Sequence, residues 1–270
     1  MLLRSVSWAG TVSLGVIVTY IVLAIFAPVL APHGEAEVVG GAWISPDMQH
    51  WLGTDGLGRD MLSRVMYGGR RTMSIALAVT VAAFLLGTLL GLSAAIGRSW
   101  LDTVLSRTVD GIMALPSLIV ALLVLSVLGS SIPGLIGVLA VLDATRFFRL
   151  SRAIGQDIMS RDYVEVARLR GESIRWLITR EVLPNATSVL ATEFAIRFCA
   201  AVLQVSALAF LGLGVQPPSA DWGSMVNENA IAINFGIAAP LFPAAAIAGV
   251  TVSLNVLVTA LSDTSRFARV

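Results

Sequence analysis

The chain has 270 residues, of which 56% are hydrophobic and only 13% charged, with a net charge of +1 and a mean hydropathy of +0.85. A soluble domain carries about 25% charged residues, so this balance excludes an ordinary soluble protein and points to one all-α integral membrane domain over residues 1–270. All 18 basic residues are arginine, with no basic patch interleaved with aromatics, which excludes nucleic acid as a partner; without lysine there is no G-x-x-x-x-G-K-[ST] phosphate loop, so any ATP must be bound by another subunit.

Residues 1–30 open with Arg4 and an apolar run from Ala9 to Leu30. A cleavable leader ending near Ala31 is the competing reading. The run is about twice the 7–15 residues of a signal core and fits the roughly 20 residues of a spanning helix, so a first membrane helix is expected. Residues 31–72 are polar and turn-rich and are expected to form an extramembrane loop. The loop contains His50-Trp51-Leu52-Gly53-Thr54-Asp55-Gly56-Leu57-Gly58-Arg59-Asp60, then Ser63-Arg64 and Gly68-Gly69-Arg70. Its glycines permit tight turns, and Asp60 is placed to start a short helix. His33 and His50 are the only histidines. They read as solvated loop residues, so no metal site is expected. Cys199, the only cysteine, sits in an apolar segment and leaves no disulfide framework or thiol metal site.

Residues 73–97 are uncharged and form the clearest spanning helix. Gly87 and Gly91 lie on one face of it, at the spacing that lets membrane helices approach closely. A short loop with Arg98, Asp102 and Arg107 leads to a third helix over about 111–128, which Pro116 in its second turn is expected to bend. After a tight turn at 129–134, a fourth helix over roughly 135–149 has a short apolar core, with Asp143 near its end.

The stretch 160–185, within a loop expected over 150–185, holds Arg161, Arg168, Arg170, Arg175 and Arg180 against Asp162, Glu165, Glu172 and Glu181. It reads as helix, break, helix. Asp162 with Glu165 has capping-box spacing, and Gly171 suits the left-handed end of a helix over 163–170. Ser173 is placed to cap a second helix, expected to stop at Leu183 ahead of Pro184. On these residues alone an ordinary charged hairpin between membrane helices is the lesser, competing description. A fifth helix over 186–215 comes next, ending in Phe210-Leu211-Gly212-Leu213-Gly214-Val215-Gln216-Pro217-Pro218, with Asp221-Trp222-Gly223 beyond. A sixth, over about 241–261, contains Asn255. Arg197 is the only basic residue inside a spanning segment, and Glu193 stands one turn before it, in the better order for an i,i+4 pair. A charge at that depth usually faces a bundle interior or a wet cavity. Glu193 and Arg197, with Gln204 and Asn255, are therefore candidate lining of a substrate pathway, or, for the first two, a neutralised structural pair.

Three strings carry a resemblance. Glu165-Val166-Ala167 with Gly171 and Leu183-Pro184 resembles the cytoplasmic "EAA" loop of bacterial ABC-transporter permeases. The segments from His50 to Arg70 and from Phe210 to Gly223 resemble those of the dipeptide, oligopeptide and nickel importer class. The resemblance implies the second permease of a pair, embedded in membrane lipid of the bacterial inner membrane. Its partners would be a homologous sister permease, two cytoplasmic ATPase subunits that hold ATP and Mg, and an extracytoplasmic substrate-binding protein. It also implies that Asp162, Tyr163, Glu165, Ala167, Arg168, Gly171 and Ser173 couple to an ATPase. His50, Trp51, Gly53, Thr54, Asp55, Gly58, Arg59 and Asp60 would form an extracytoplasmic motif. No cofactor and no catalytic residue is expected in this chain.

Arginine placement gives the orientation. With the N-terminus inside, thirteen arginines fall in inner segments and four in outer ones, which favours six transmembrane helices, both termini cytoplasmic, and the coupling loop inside between the fourth and fifth helices. The transported solute is expected to be a peptide or a related small molecule. An ion-coupled secondary transporter is the alternative; its spanning helices should carry several ionisable groups and an internal repeat. A membrane-embedded enzyme is a weaker rival, since neither H-E-x-x-H nor G-x-S-x-G is present.

Overall fold

The computed structural model describes residues 8–173 and 176–267, apart from the side chains of Arg168 and residues 261–267. Arg4, Arg175 and Arg269 lie outside the described residues, as do the side chains of Arg168 and Arg266. Among the described residues the regular elements are helical, with two isolated β-bridges, Val38 with Arg59 and Thr54 with Asp60. In chain order they are α1 (Trp8–Ile25), α2 (Ala27–Leu30), α3 (Met61–Ile96), α4 (Ser99–Met113), α5 (Ser117–Leu128), α6 (Ile132–Met159), α7 (Asp162–Leu169), α8 (Leu183–Phe210), α9 (Trp222–Glu228) and α10 (Leu241–Phe267). A π-helical turn, Leu177–Val182, leads into α8, and a 3₁₀ segment, Ala230–Phe235, comes after α9.

Among the described residues, four helical stretches are long and apolar enough to cross a membrane: Trp8–Ile25, Met61–Ile96, Leu177–Phe210 and Leu241–Ala260. The pair α4 and α5, bent by 86°, is a fifth if it forms one span. The chain divides into two compact units. One takes Met1–Leu77, Leu122–Ile136 and Phe198–Val270, the other Ala78–Ala121 and Gly137–Arg197.

In the first unit α1 packs along α10, where Gly249 leaves room for the Tyr20 hydroxyl: a Cβ there would come within 2.7 Å of it. Ile17, Met61, Trp222, Met225, Ala246, Val250 and Leu254 form its core. In the second unit α3 lies against α6 through glycines. A Cβ on Gly91 would stand 2.5 Å from the Phe148 carbonyl oxygen and 2.9 Å from Ser151 Cβ, and one on Gly87 would stand 2.6 Å from Phe147 Cβ. From the other side, a Cβ on Gly155 would meet Ala95 Cβ at 2.7 Å. The packing face expected from the Gly87 and Gly91 spacing is therefore real, and it faces α6.

Several boundaries differ from expectation. Residues 61–72 are not loop: they are the first three turns of α3, a helix of 36 residues. Asp60 starts this helix by accepting the Ser63 N–H at 2.8 Å. The residues that look like loop are accounted for within the first unit: Arg64 is met by acidic partners, and the Trp222 ring lies close against Gly68 and Gly69. Residues 99–113 are an amphipathic helix, not a short loop. Pro116 does not bend a continuous third helix but separates α4 from α5, because it lacks an N–H and disfavours α geometry at Leu115. The fourth expected helix extends to Met159, held by Arg149 on Asp110 at 2.9 Å and by Arg152 on Asp102.

The helix before Pro184 does not stop at Leu183. It runs on into α8 through the π-helical turn, where the Leu183 N–H reaches back five residues to the Ile178 carbonyl. That wider turn admits a proline inside a continuous helical path. The Asn185 amide caps the Glu181 carbonyl at 2.6 Å.

Candidate functional site

The first candidate region is the helix–turn–helix at 160–183. α7 begins directly after Arg161, whose carbonyl receives the Val164 N–H at 3.0 Å, so Asp162 is the first helical residue and not the cap itself. Asp162 and Glu165 both lie in the first turn, where carboxylates suit the positive end of the helix dipole. Gly171 ends the segment at φ +82°, with the Glu172 N–H bonded to the Ala167 carbonyl at 3.2 Å, as the sequence predicts. Ser173 then caps the second helical segment: its Oγ accepts the Trp176 N–H at 3.2 Å.

α7 has two faces. Val164 and Ala167 are buried in a cluster with Leu92 of α3, Ile158 of α6, and Leu177 and Val182 of the π-helical turn. Tyr163, Val166 and Leu169 are exposed large side chains spaced three apart, with Asp162 and Glu165 exposed beside them. Ala167 therefore seats the helix on the ends of α3 and α6 and is not part of the outward face.

The second region is built on the His50–Asp60 string. Gly53 at φ +70° and Gly58 at φ +76° take backbone conformations only glycine holds without strain. Thr54 Oγ1 donates to the Gly41 carbonyl at 2.7 Å and accepts the Ile44 N–H at 2.8 Å. Asp55 Oδ1 accepts the Leu57 and Arg59 N–H groups, each at 2.9 Å, and its Oδ2 accepts Arg59 Nε at 2.6 Å. Trp51 is exposed.

This knot is tied to the segment after α8, a link that the order of residues along the chain does not reveal. Arg59 and Arg64 converge on Glu228 Oε2 at 2.7 and 3.0 Å, and Arg64 Nε lies 3.3 Å from Asp55 Oδ2. Arg64 is fully buried. Asn229 Oδ1 accepts Gly56 N–H at 3.1 Å and Trp43 Nε1–H at 3.3 Å. Asp221 caps α9, with Oδ1 accepting the Gly223 N–H at 2.9 Å and Oδ2 accepting the Thr72 hydroxyl at 2.7 Å. Burial pushes the Asp221 carboxyl above the usual carboxylate range, against these hydrogen bonds. At the loop surface the opposite holds: the His50 backbone N–H, and after it that of Gln49, draws the Asp47 carboxyl below that range. Glu228, Asn229, Asp221, Arg64 and Trp222 do not stand out as one group in the sequence because their partners lie more than 140 residues apart in the chain. The string Asp221-Trp222-Gly223 was the available signal.

His50 is not the solvated residue expected. It is 8% exposed, and it and half-buried His33 both turn Nδ1 toward Asp60.

Of the expected pathway residues, Arg197 Nε bonds Glu193 Oε1 at 2.7 Å, the i,i+4 pair read from the sequence, with side chains 18% and 20% exposed. Asn255 donates to Cys199 Sγ at 3.1 Å and to its helix-mate Thr251 carbonyl at 2.9 Å. Gln204 is half-buried on α8. Glu193 and Arg197 belong to the second unit, Gln204 and Asn255 to the first. The first unit also contains a hollow of about 440 Å³ lined by Glu35, Tyr67, Arg70, Arg71 and Ser74. The buried Arg71 Nη1 there has no hydrogen-bond partner among the described residues. No sequence pattern marked it.

A model of the family described as binding-protein-dependent transport system inner membrane component matches residues 83–265. The dipeptide transport system permease protein DppC of Alkalihalophilus pseudofirmus is 31% identical over 253 residues, 93% of this chain and 83% of that protein. The di/tripeptide transport system permease protein DppC of Pseudomonas aeruginosa is 36% identical over 210 residues, 75% of this chain and 69% of that protein. The glutathione transport system permease protein GsiD of Escherichia coli is 34% identical over 249 residues, 92% of this chain and 82% of that protein. Among solved structures, the crystal structure of an amino acid ABC transporter with histidines superposes with a TM-score of 0.56 over 74% of this chain and 94% of that one. At 16% identity this is a likeness of fold.

Proposed function

The chain belongs to the family of binding-protein-dependent transport system inner membrane components, and on that premise we propose that α7 and the turn after it carry ATPase movement to the membrane helices. The chain is a membrane permease component of an ABC importer, whose ATPase and substrate-binding protein are separate partners. The observation that supports the coupling role is the two-faced α7. Val164 and Ala167 are fixed to the ends of α3 and α6, while Tyr163, Val166, Leu169, Asp162 and Glu165 are left outside. An apolar stripe flanked by carboxylates fits an apolar groove with a basic rim. Gly171 and Ser173 fix the turn, so a push on α7 passes to α8 as a rigid-body movement.

The proposed assembly pairs this chain with a homologous sister permease and two ATPase subunits in the bacterial inner membrane. Both termini are cytoplasmic, and the chain crosses six times, counting α4–α5 as one broken span and α6 as a partly polar one. The His50–Asp60 knot and the 216–239 segment then face the binding protein. The solute is a peptide or a related small molecule, as the names of the relatives suggest. Arg70 and Arg71 suit a solute carboxylate, and Glu35 an ammonium group. Glu193 and Arg197 in the second unit, and separately Gln204 and Asn255 in the first, are polar groups within spanning helices suited to solute contact.

Orientation tests this reading. In a Cys199→Ala background, Met48→Cys (97% exposed) should react with an impermeant thiol reagent on intact cells, and Leu169→Cys (83% exposed) only after permeabilisation. The reverse pattern removes α7 from the ATPase side and defeats the coupling role.

A further inference from the structure

We propose that His33, His50 and Asp60 form a binding site for one divalent transition-metal ion, with Zn²⁺ the ion its donor set fits. His33 Nδ1 lies 3.9 Å from Asp60 Oδ2, His50 Nδ1 lies 3.5 Å from Asp60 Oδ1, and the three ligand atoms all fall within 4.8 Å of one another. Zinc bonds of about 2.0–2.1 Å in a tetrahedron put neighbouring ligands roughly 3.3–3.4 Å apart. The two His–Asp separations, 3.9 and 3.5 Å, stand within roughly half an ångström of that size, and the remaining pair is bounded by 4.8 Å. They are too long for direct hydrogen bonds, which run about 2.7–3.2 Å.

Both imidazole Nδ1 atoms are buried without a hydrogen-bond partner among the described residues. Two orphaned ring nitrogens aimed at one carboxylate demand an occupant, since buried polar atoms are otherwise paired. The carboxylate is prepared for one. Its Oδ2 accepts the Ser63 N–H at 2.8 Å and the Ser63 hydroxyl at 2.6 Å, while Oδ1 is left facing His50. The Ser63 oxygen also accepts the His33 N–H at 3.1 Å, so one serine positions two of the three ligand residues. The His50 N–H is held in turn by Asp47 Oδ1 at 2.5 Å. Such outer hydrogen bonds orient metal ligands. Two imidazoles and one carboxylate select a borderline ion over Mg²⁺ or Ca²⁺, which prefer all-oxygen sites. The ion would fasten the 31–60 segment to the start of α3 and keep a fourth position for water. The site does not depend on what the chain transports.

The test uses the full chain in lipid nanodiscs, purified through a tag without histidines, stripped with EDTA and titrated with Zn²⁺ alone. One equivalent should bind saturably, and Co²⁺ in its place should give the intense visible bands of a four-coordinate site. His33→Ala should lose the equivalent while retaining the wild-type elution and circular dichroism. Ser63→Ala should weaken binding by about 10–100-fold. Zn²⁺ should also slow proteolysis within residues 31–60 of the wild type but not of His33→Ala. Failure of the wild type to bind a stoichiometric ion overturns the site, leaving plain His–Asp pairs. So does binding that persists unchanged in His33→Ala.

Discussion

The α3–α6 contact allows a prediction with a sign as well as a size. Alanine for glycine inside an exposed helix gains up to about 1 kcal/mol, because glycine has more backbone freedom to lose on folding. Gly137 on α6 has nothing within 4 Å of its would-be Cβ, so Gly137→Ala should show that gain. Gly91→Ala puts the same methyl group 2.5 Å from the Phe148 carbonyl oxygen and 2.9 Å from Ser151 Cβ, both on a backbone or its first side-chain atom that cannot swing away. Relief requires the two helices to separate by roughly half an ångström or more, and overpacking of this kind costs about 1–3 kcal/mol. Set against the propensity gain, Gly91→Ala should be destabilising by about 0–2 kcal/mol while Gly137→Ala is stabilising. Gly87→Ala strains the same interface, so the double variant with Gly91→Ala should cost less than the sum, since one separation relieves both contacts. Reversible unfolding in mixed micelles, monitored by tryptophan fluorescence, reads all four variants against the wild type. If Gly91→Ala stabilises as much as Gly137→Ala, the helices do not approach closely through these glycines.

Breaking the Glu193–Arg197 pair with Glu193→Ala should cost about 3–5 kcal/mol by leaving a charge unpartnered, and removing both residues should cost far less. If the double variant assembles and transports at the normal rate, the pair is structural and lines no pathway. Because burial raises the folded-state pKa of Asp221, its contribution is fullest below the usual carboxylate range and is lost as pH rises through the raised folded value. Asp221→Asn keeps the cap through its amide oxygen and removes the titrating group, with its amide N–H meeting Thr72 Oγ1 as donor instead of acceptor, so it should flatten the decline in stability with rising pH; an unchanged pH profile would refute the assignment.

Local grammar was legible in the sequence wherever it is closed by near neighbours. Gly171 is left-handed, Ser173 caps, Gly87 and Gly91 share a packing face, and Glu193 pairs one turn along with Arg197. The features that were not legible are decided by distant partners. Residues 61–72 look like loop because Arg64, Gly68 and Gly69 are polar or small, yet Glu228 and Trp222 are the reason they are helical. His50 looks solvated until Asp60 and His33 fold back on it. The two prolines depart from expectation in opposite directions. Pro116 separates two helices at 86°, whereas Pro184 is absorbed by a π-helical turn. Ala167, matched by resemblance to an ATPase-coupling string, faces the membrane helices, because burial on α7 obeys the helical period and not the string.

The central claim is that the segment from Asp162 to Val182 transmits ATP-driven movement. Proline at position 171 cannot adopt the observed φ of +82°, so Gly171→Pro disturbs the turn without touching either the outward face of α7 or its buried seat. The decisive measurement is solute uptake and ATP hydrolysis by the complete assembly in proteoliposomes, wild type beside Gly171→Pro. The account predicts that wild-type uptake requires ATP and the ATPase partners, and that the variant keeps those partners but loses uptake together with solute-stimulated hydrolysis. Normal uptake by the variant, or wild-type uptake driven by an ion gradient without ATP, would contradict it.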